Sequence, residues 1–205
     1  MALKIKICGI TRAEDLEVLV RLKVDAVGLM FAEESPRRLA LADARRLSEQ
    51  AQGRIARVGV FADAEPAAVR AAIDHVGLDA LQFHGQEDAA YCAAFGLPYL
   101  KGFKVTGAVD EGALRQRYAD ACALLLDAGA GGGEPFDWRH WPDQPSGPCI
   151  LAGGLGPDNV GRAVGLLKPW GVDASSGVEG ARKGVKDAVK MKEFVAEARH
   201  AAAGE

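Results

Sequence analysis

The chain has 205 residues, four of them cysteines, a formal net charge of −3 and 49% hydrophobic residues. That length suits one domain, expected to span the whole chain, and the charge excludes a general nucleic-acid binder, which carries a basic face. No apolar run approaches the ~20 residues of a membrane span, and Met-Ala-Leu-Lys-Ile-Lys-Ile at the start does not read as a signal peptide, so a cytoplasmic chain is expected.

Short apolar runs alternate with longer amphipathic ones. Strands are expected over residues 4–10, 26–31, 57–62, 80–84, 99–105, 123–128, 149–153 and 172–175. Runs this short and this apolar suit strands covered on both faces. Thr11-Arg-Ala-Glu14 reads as a capping box opening the first helix, with Leu16, Leu19, Val20 and Val24 on one side. Further helices are expected over 41–50, 65–76, 86–95, 110–118, 158–167 and 187–202, with Pro66 and Pro157 at helix starts, where a missing N–H costs nothing. Residues 129–148 are rich in Gly and Pro and read as a loop, with a helical turn at Phe136-Asp137-Trp138.

Strand–helix alternation without hairpin signals implies a parallel sheet. Two features favour closure into a (β/α)8 TIM barrel. The Gly-rich segments come late, after the seventh and eighth strands, where barrels place a phosphate site. Cys8-Gly9-Ile10-Thr11, after the first strand, is no dinucleotide fingerprint. In addition, polar residues recur at strand C-termini: Cys8, His84, Asp127 and Asp173. A barrel gathers those ends into one mouth.

Gly153-Gly154-Leu155 and Asp173-Ala174-Ser175-Ser176-Gly177 are the candidate phosphate loops. Glycine lets an anion approach the backbone closely, and helix N-terminal N–H groups then point at it. Either segment alone is an ordinary strand–helix turn; on successive barrel loops they form one site. Cys8 is either a buried strand residue or a base at the mouth, where it would need help to ionise. Asp127, after three leucines and before a long loop, is a turn residue or a general acid. Arg37 is solvated surface or a fork for a carboxylate. His84 reads first as a hydrogen-bonded structural residue, and Asp173 as a brace for the phosphate loop. Cys92, Cys122 and Cys149 read as small buried hydrophobes. The cysteines form no CxxC or CxxH pattern and the four histidines are scattered, so no metal cluster is expected.

Lys6-Ile7-Cys8-Gly9-Ile10-Thr11, Val58-Gly59-Val60-Phe61, Leu81-Gln82-Phe83-His84-Gly85, Leu125-Leu126-Asp127, Phe136-Asp137-Trp138, Gly153-Gly154-Leu155 and Asp173-Ala174-Ser175-Ser176-Gly177-Val178-Glu179 together resemble the phosphoribosylanthranilate isomerase family. The resemblance implies an Amadori rearrangement in tryptophan biosynthesis on a small phosphorylated substrate, needing no metal and no cofactor; a monomer or homodimer is expected. It implies Cys8 as base, Asp127 as acid, Arg37 on the anthranilate carboxylate, and His84, Asp173 and the two Gly-rich loops as substrate contacts. The alternatives are the histidine-pathway aminoaldose isomerase, which carries Asp where this chain has Cys8, and a non-catalytic phospho-ligand-binding barrel. The chain departs from the family pattern at Gly129–Pro135, which lacks the usual Thr and Lys, and at Gly180–Val185.

Overall fold

The computed structural model describes residues 2–127 and 137–204. Eight parallel strands close into a barrel in chain order: β1 (Lys4–Cys8), β2 (Ala26–Met30), β3 (Ala56–Phe61), β4 (Ala80–Phe83), β5 (Tyr99–Lys104), β6 (Ala123–Asp127), β7 (Cys149–Ala152) and β8 (Gly171–Ala174). Closure is made by β1 on β8, with Lys6 opposite Asp173 and Ile7 opposite Ala174. Around it, among the described residues, lie α1 (Ala13–Arg21), α2 (Leu41–Ala51), α3 (Pro66–Val76), α4 (Ala89–Ala93), α5 (Glu111–Arg117), α6 (Pro157–Leu167) and α7 (Ala188–Ala203). The expected (β/α)8 architecture is therefore the one observed. No helix of the described residues is long and apolar enough to cross a membrane.

Alternation along each strand sorts the side chains. Ile5 and Ile7 of β1, Leu81 and Phe83 of β4, Leu124 and Leu126 of β6, and Val172 and Ala174 of β8 all join the large cluster that also holds helix residues such as Leu16, Val69 and Phe194. They face outward. Ala123, Leu125, Ile150 and Ala152 form a separate small cluster inside the barrel. By the same parity Lys6 and Cys8, Gln82, Asp127 and Asp173 point inward. Burying Phe194 or Leu124 completely is worth about 1.5–3 kcal/mol each, so the helix–strand layer carries the fold. The barrel interior is then free to hold polar groups.

Helix boundaries follow their caps. Asp110 and Asp187 accept hydrogen bonds from the first-turn N–H groups of α5 and α7. Pro66 and Pro157 open α3 and α6 as expected. The expected capping box at Thr11 does not form. The Thr11 hydroxyl donates instead to the Gly184 carbonyl, α1 starts at Ala13, and Asp15 accepts from the Arg12 guanidinium and from the Lys186 N–H. A contact to a segment far along the chain has displaced a local one. The first strand also stops earlier than expected, because Gly9 turns the chain at φ +73°. The helix expected over 86–95 shortens to α4 behind its cap Asp88. Cys122 is exposed at the strand-start end of the barrel, contrary to expectation, while Cys92 and Cys149 are buried. In the β6–β7 connection Asp137 caps a single 3-10 turn, Trp138–His140; Phe136 and the Gly-rich stretch before it lie outside the described residues.

Candidate active site

Cys8 ends β1 and is only 5% exposed. Its sulfur rests on Gly28 of β2: a Cβ at that position would lie 2.7 Å from Sγ. The Cys8 carbonyl accepts from the Ser175 hydroxyl at 3.1 Å, which joins the first strand to the loop after the eighth. Lys6 lies two residues below Cys8 on the same face, and its Nζ pairs with Asp173 Oδ2 at 2.8 Å. Asp173 Oδ1 is buried and has no hydrogen-bond partner among the described residues. Burial pushes the Cys8 thiol above its ordinary value, and Lys6 and Lys186 pull against that push. Burial also raises the Asp173 carboxyl; Lys6 opposes this, while Asp127 adds to it. The carboxylate that acts on Cys8 is thus Asp173, which in turn feels Asp127 and His84.

Asp127 ends β6, and its Oδ2 stands 3.4 Å from His84 Nε2, each side chain a little over a quarter exposed. His84 has room because Gly102 of β5 is bare; a Cβ there would fall 2.4 Å from His84 Nδ1. Gln82 Nε2 is 3.3 Å from the same ring nitrogen. His84 is therefore more than a lone strand-end residue: it is held between Gln82 and Asp127.

The two Gly-rich loops meet. Gly153 and Gly154 take φ +90° and +63°, a region costly for other residues, and Gly156 caps α6. Asn159 holds the turn by accepting from the Gly156 N–H and donating to the Gly154 carbonyl, both at 2.9 Å. A Cβ on Gly177 would lie 2.0 Å from the Leu155 carbonyl oxygen, so the second loop packs backbone to backbone against the first. Gly153, Gly154, Ser175, Ser176 and Gly177 remain partly or fully exposed beside the N-terminus of α6.

Arg37 lies over Gly9 and is committed on one side. Its Nε and Nη2 donate to Glu179 Oε1 and Oε2 at 2.6 and 2.8 Å. Lys186, whose side chain is fully buried, donates to Glu179 and to the Ser175 carbonyl, at 3.0 and 2.9 Å. Burial works to raise the Glu179 carboxyl, but the hydrogen bonds and charges of Arg37 and Lys186 outweigh it and hold it at about 2. The sequence reading did not identify Lys6, Glu179 or Lys186 as parts of this site. The expected candidates Cys8, Arg37, Asp173 and Ser175 converge on one side of the barrel mouth. His84 and Asp127 form a second group, joined to the first through Asp173.

The model of the family described as N-(5'phosphoribosyl)anthranilate (PRA) isomerase matches residues 5–197. An N-(5'-phosphoribosyl)anthranilate isomerase of Thiobacillus denitrificans is 45% identical over 204 residues, covering 97% of this chain and 99% of that protein. A crystal structure of a phosphoribosyl anthranilate isomerase in complex with reduced 1-(o-carboxyphenylamino)-1-deoxyribulose 5-phosphate superposes with a TM-score of 0.83 at 34% identity, covering 97% of this chain and 99% of that one. Monomers generated from the dimeric enzyme of Thermotoga maritima superpose with a TM-score of 0.77 at 33% identity, covering 96% and 98%. With the match running almost end to end, the chain belongs to the N-(5'-phosphoribosyl)anthranilate isomerase family.

Proposed function

We propose that this chain converts N-(5-phosphoribosyl)anthranilate to 1-(2-carboxyphenylamino)-1-deoxyribulose 5-phosphate by an Amadori rearrangement in tryptophan biosynthesis, acting as one barrel domain over residues 1–205. The observation that carries this reading is the gathering of the Cys8 thiol, the Asp127 carboxyl and two apposed Gly-rich loops at the strand C-termini of one barrel. Asp127 protonates the ribose ring oxygen, and the ring opens to an iminium ion. Cys8 then takes the proton from the adjacent sugar carbon, and the enolamine formed tautomerises to the ketone.

The backbone N–H groups around Gly153–Leu155 and Ser175–Gly177 receive the phosphate, with the start of α6 behind them. This remote contact orients the reacting carbon. Arg37 meets the anthranilate carboxylate with the guanidinium face that Glu179 leaves open, and Asp173 Oδ1 accepts from a substrate hydroxyl. His84 steadies the Asp127 carboxyl. The chemistry needs one acid and one base and calls on no cofactor. The Thermotoga maritima relative, described as dimeric, makes a homodimer as natural a form for this chain as a monomer.

The test is the loss of phosphoribosylanthranilate fluorescence on adding the purified chain. Turnover is the expected result. Binding of the substrate without turnover would instead favour a phospho-ligand-binding barrel, and turnover of the histidine-pathway aminoaldose in its place would favour that isomerase.

A further inference from the structure

A base must spend time as thiolate, and a barrel interior disfavours a buried anion. Lys6 stands two residues before Cys8 on the same inward face and is only 4% exposed. Its ammonium meets Asp173 Oδ2 at 2.8 Å, while the other oxygen of that carboxylate has no partner among the described residues. Burial works to lower the Lys6 ammonium, but the charges and hydrogen bonds of Asp173 and Cys8 outweigh it and raise it above its ordinary value. A buried ion pair adds little net stability, and apolar residues often replace one without loss. A lysine–aspartate pair directly beneath a thiol therefore needs another reason to be there.

The surroundings narrow that reason. Lys186, in the segment after β8, also acts on Cys8, but its ammonium is spent on Glu179 and the Ser175 carbonyl. Arg37, from the loop after β2, acts on Cys8 too, and its fork is closed on Glu179. On β2 the neighbour is Gly28, which brings no charge. From β6 and β4, Asp127 and His84 act on Asp173, which in turn acts on Cys8. Lys6, paired with Asp173, also acts on Cys8 itself, from the same face of the same strand.

We propose that Lys6 is a positioning residue for the reaction: its buried ammonium, paired with Asp173 on the inward face that also carries Cys8, offsets part of what burial costs the Cys8 thiolate and so lets Cys8 take the substrate proton. Asp173 sets how much of that charge reaches the sulfur. The proposal rests on the reading of Cys8 as the base.

The test reads the thiol directly in the ligand-free full chain. Iodoacetamide alkylation of Cys8 is followed across pH by mass spectrometry of its peptide, with the exposed Cys122 as internal standard for the reagent. Lys6→Met should raise the Cys8 alkylation midpoint by about one pH unit or more, and Asp173→Asn should lower it. These opposite signs separate an electrostatic role from mere loss of packing. Where Lys6→Met fails to fold, the double variant Lys6→Met/Asp173→Asn leaves no buried unpaired charge, and its midpoint should lie above that of Asp173→Asn alone. In turnover, Lys6→Met should lose kcat with KM nearly unchanged, and the acid limb of its pH profile should move up with the alkylation midpoint. An unmoved Cys8 midpoint, or a shift of the same sign in both single variants, overturns the proposal. Because alkylation uses no substrate, that failure differs from the failure of Cys8 as base, which would appear as normal turnover in Cys8→Ser.

Discussion

Arg37 and Glu179 form a two-bond fork across 142 residues of sequence, Nε to Oε1 at 2.6 Å and Nη2 to Oε2 at 2.8 Å. The fork fixes the loop after β2 to the loop after β8, over the positive-φ Gly9. An arginine so held is pre-oriented, and its guanidinium offers a fixed edge to a carboxylate. Arg37→Ala should raise KM about tenfold to a hundredfold, the worth of a hydrogen bond to a charged group, with less effect on kcat. Glu179→Ala should do the same in weaker form, by releasing the guanidinium. Steady-state kinetics on both variants decides; an unchanged KM in Arg37→Ala removes the carboxylate contact.

The same glutamate gives a pH signature. Its folded carboxyl is held at about 2 against an ordinary 4.5. A depressed acid contributes stability that is fully present above 4.5 and is lost as pH falls toward about 2. The difference in unfolding free energy between the parent chain and Glu179→Gln should therefore be constant at neutral pH and shrink through this acid window. Urea melts at a series of pH values measure it, and a pH-independent difference would contradict the account.

If Cys8 and Asp127 carry the proton transfers, Cys8→Ser and Asp127→Asn should each lower kcat by about a hundredfold to ten-thousandfold. Both changes are nearly isosteric, so circular dichroism should be unchanged. Near-normal turnover in either variant excludes that residue from its role.

The barrel was legible because the outward residues of most strands, such as Ile5 and Ile7 of β1 or Leu124 and Leu126 of β6, are apolar enough to mark them, and because the Gly-rich turns fall late in the chain. The ends of elements were less so. Thr11 carried every local sign of a cap, yet its hydroxyl goes to Gly184, 173 residues away, a partner that no local pattern displays. Glu179 escaped notice for the same reason: its partners Arg37 and Lys186 meet it only when the barrel closes. Lys6 was missed differently. A lysine in a strand reads as surface, and only closure of β1 on β8 turns that face inward, opposite Asp173. The alternation Lys4-Ile5-Lys6-Ile7-Cys8 already placed Lys6 on the face of Cys8, and a closed parallel barrel would have made that face interior.

A second buried pair lies outside the barrel interior. Lys101 and Glu87 are 1% and 3% exposed at 3.0 Å, and Lys101 also donates to the Gly85 carbonyl at 2.6 Å. Glu87 in turn accepts from the N–H groups of Asp63 and Gly85. The pair thereby braces the loops after β3 and β4, next to His84. Lys101→Met strands the Glu87 carboxylate and should cost about 3–5 kcal/mol. Lys101→Met/Glu87→Gln should recover part of that loss. Denaturant melts on the two variants test it, and equal losses would mean that packing, not charge, sets the cost.

Gly177 offers the sharpest steric test of the phosphate loops. A methyl group there would lie 2.0 Å from the Leu155 carbonyl oxygen and 3.0 Å from the Gly156 Cα, all of it backbone that cannot swing aside. Gly177→Ala must therefore push the loop after β8 away from the loop after β7, and the N–H groups of the two would no longer converge on one anion. The expected result is a raised KM for the phosphorylated substrate and weaker inhibition by inorganic phosphate, with kcat less affected because neither Cys8 nor Asp127 belongs to these loops. Gly165 supplies the contrast. It sits within α6 with nothing inside 4 Å of its added Cβ, so Gly165→Ala should leave KM alone and stabilise the fold by up to about 1 kcal/mol through helix propensity. Should Gly177→Ala bind phosphate as the parent chain does, the two Gly-rich loops do not share one anion site.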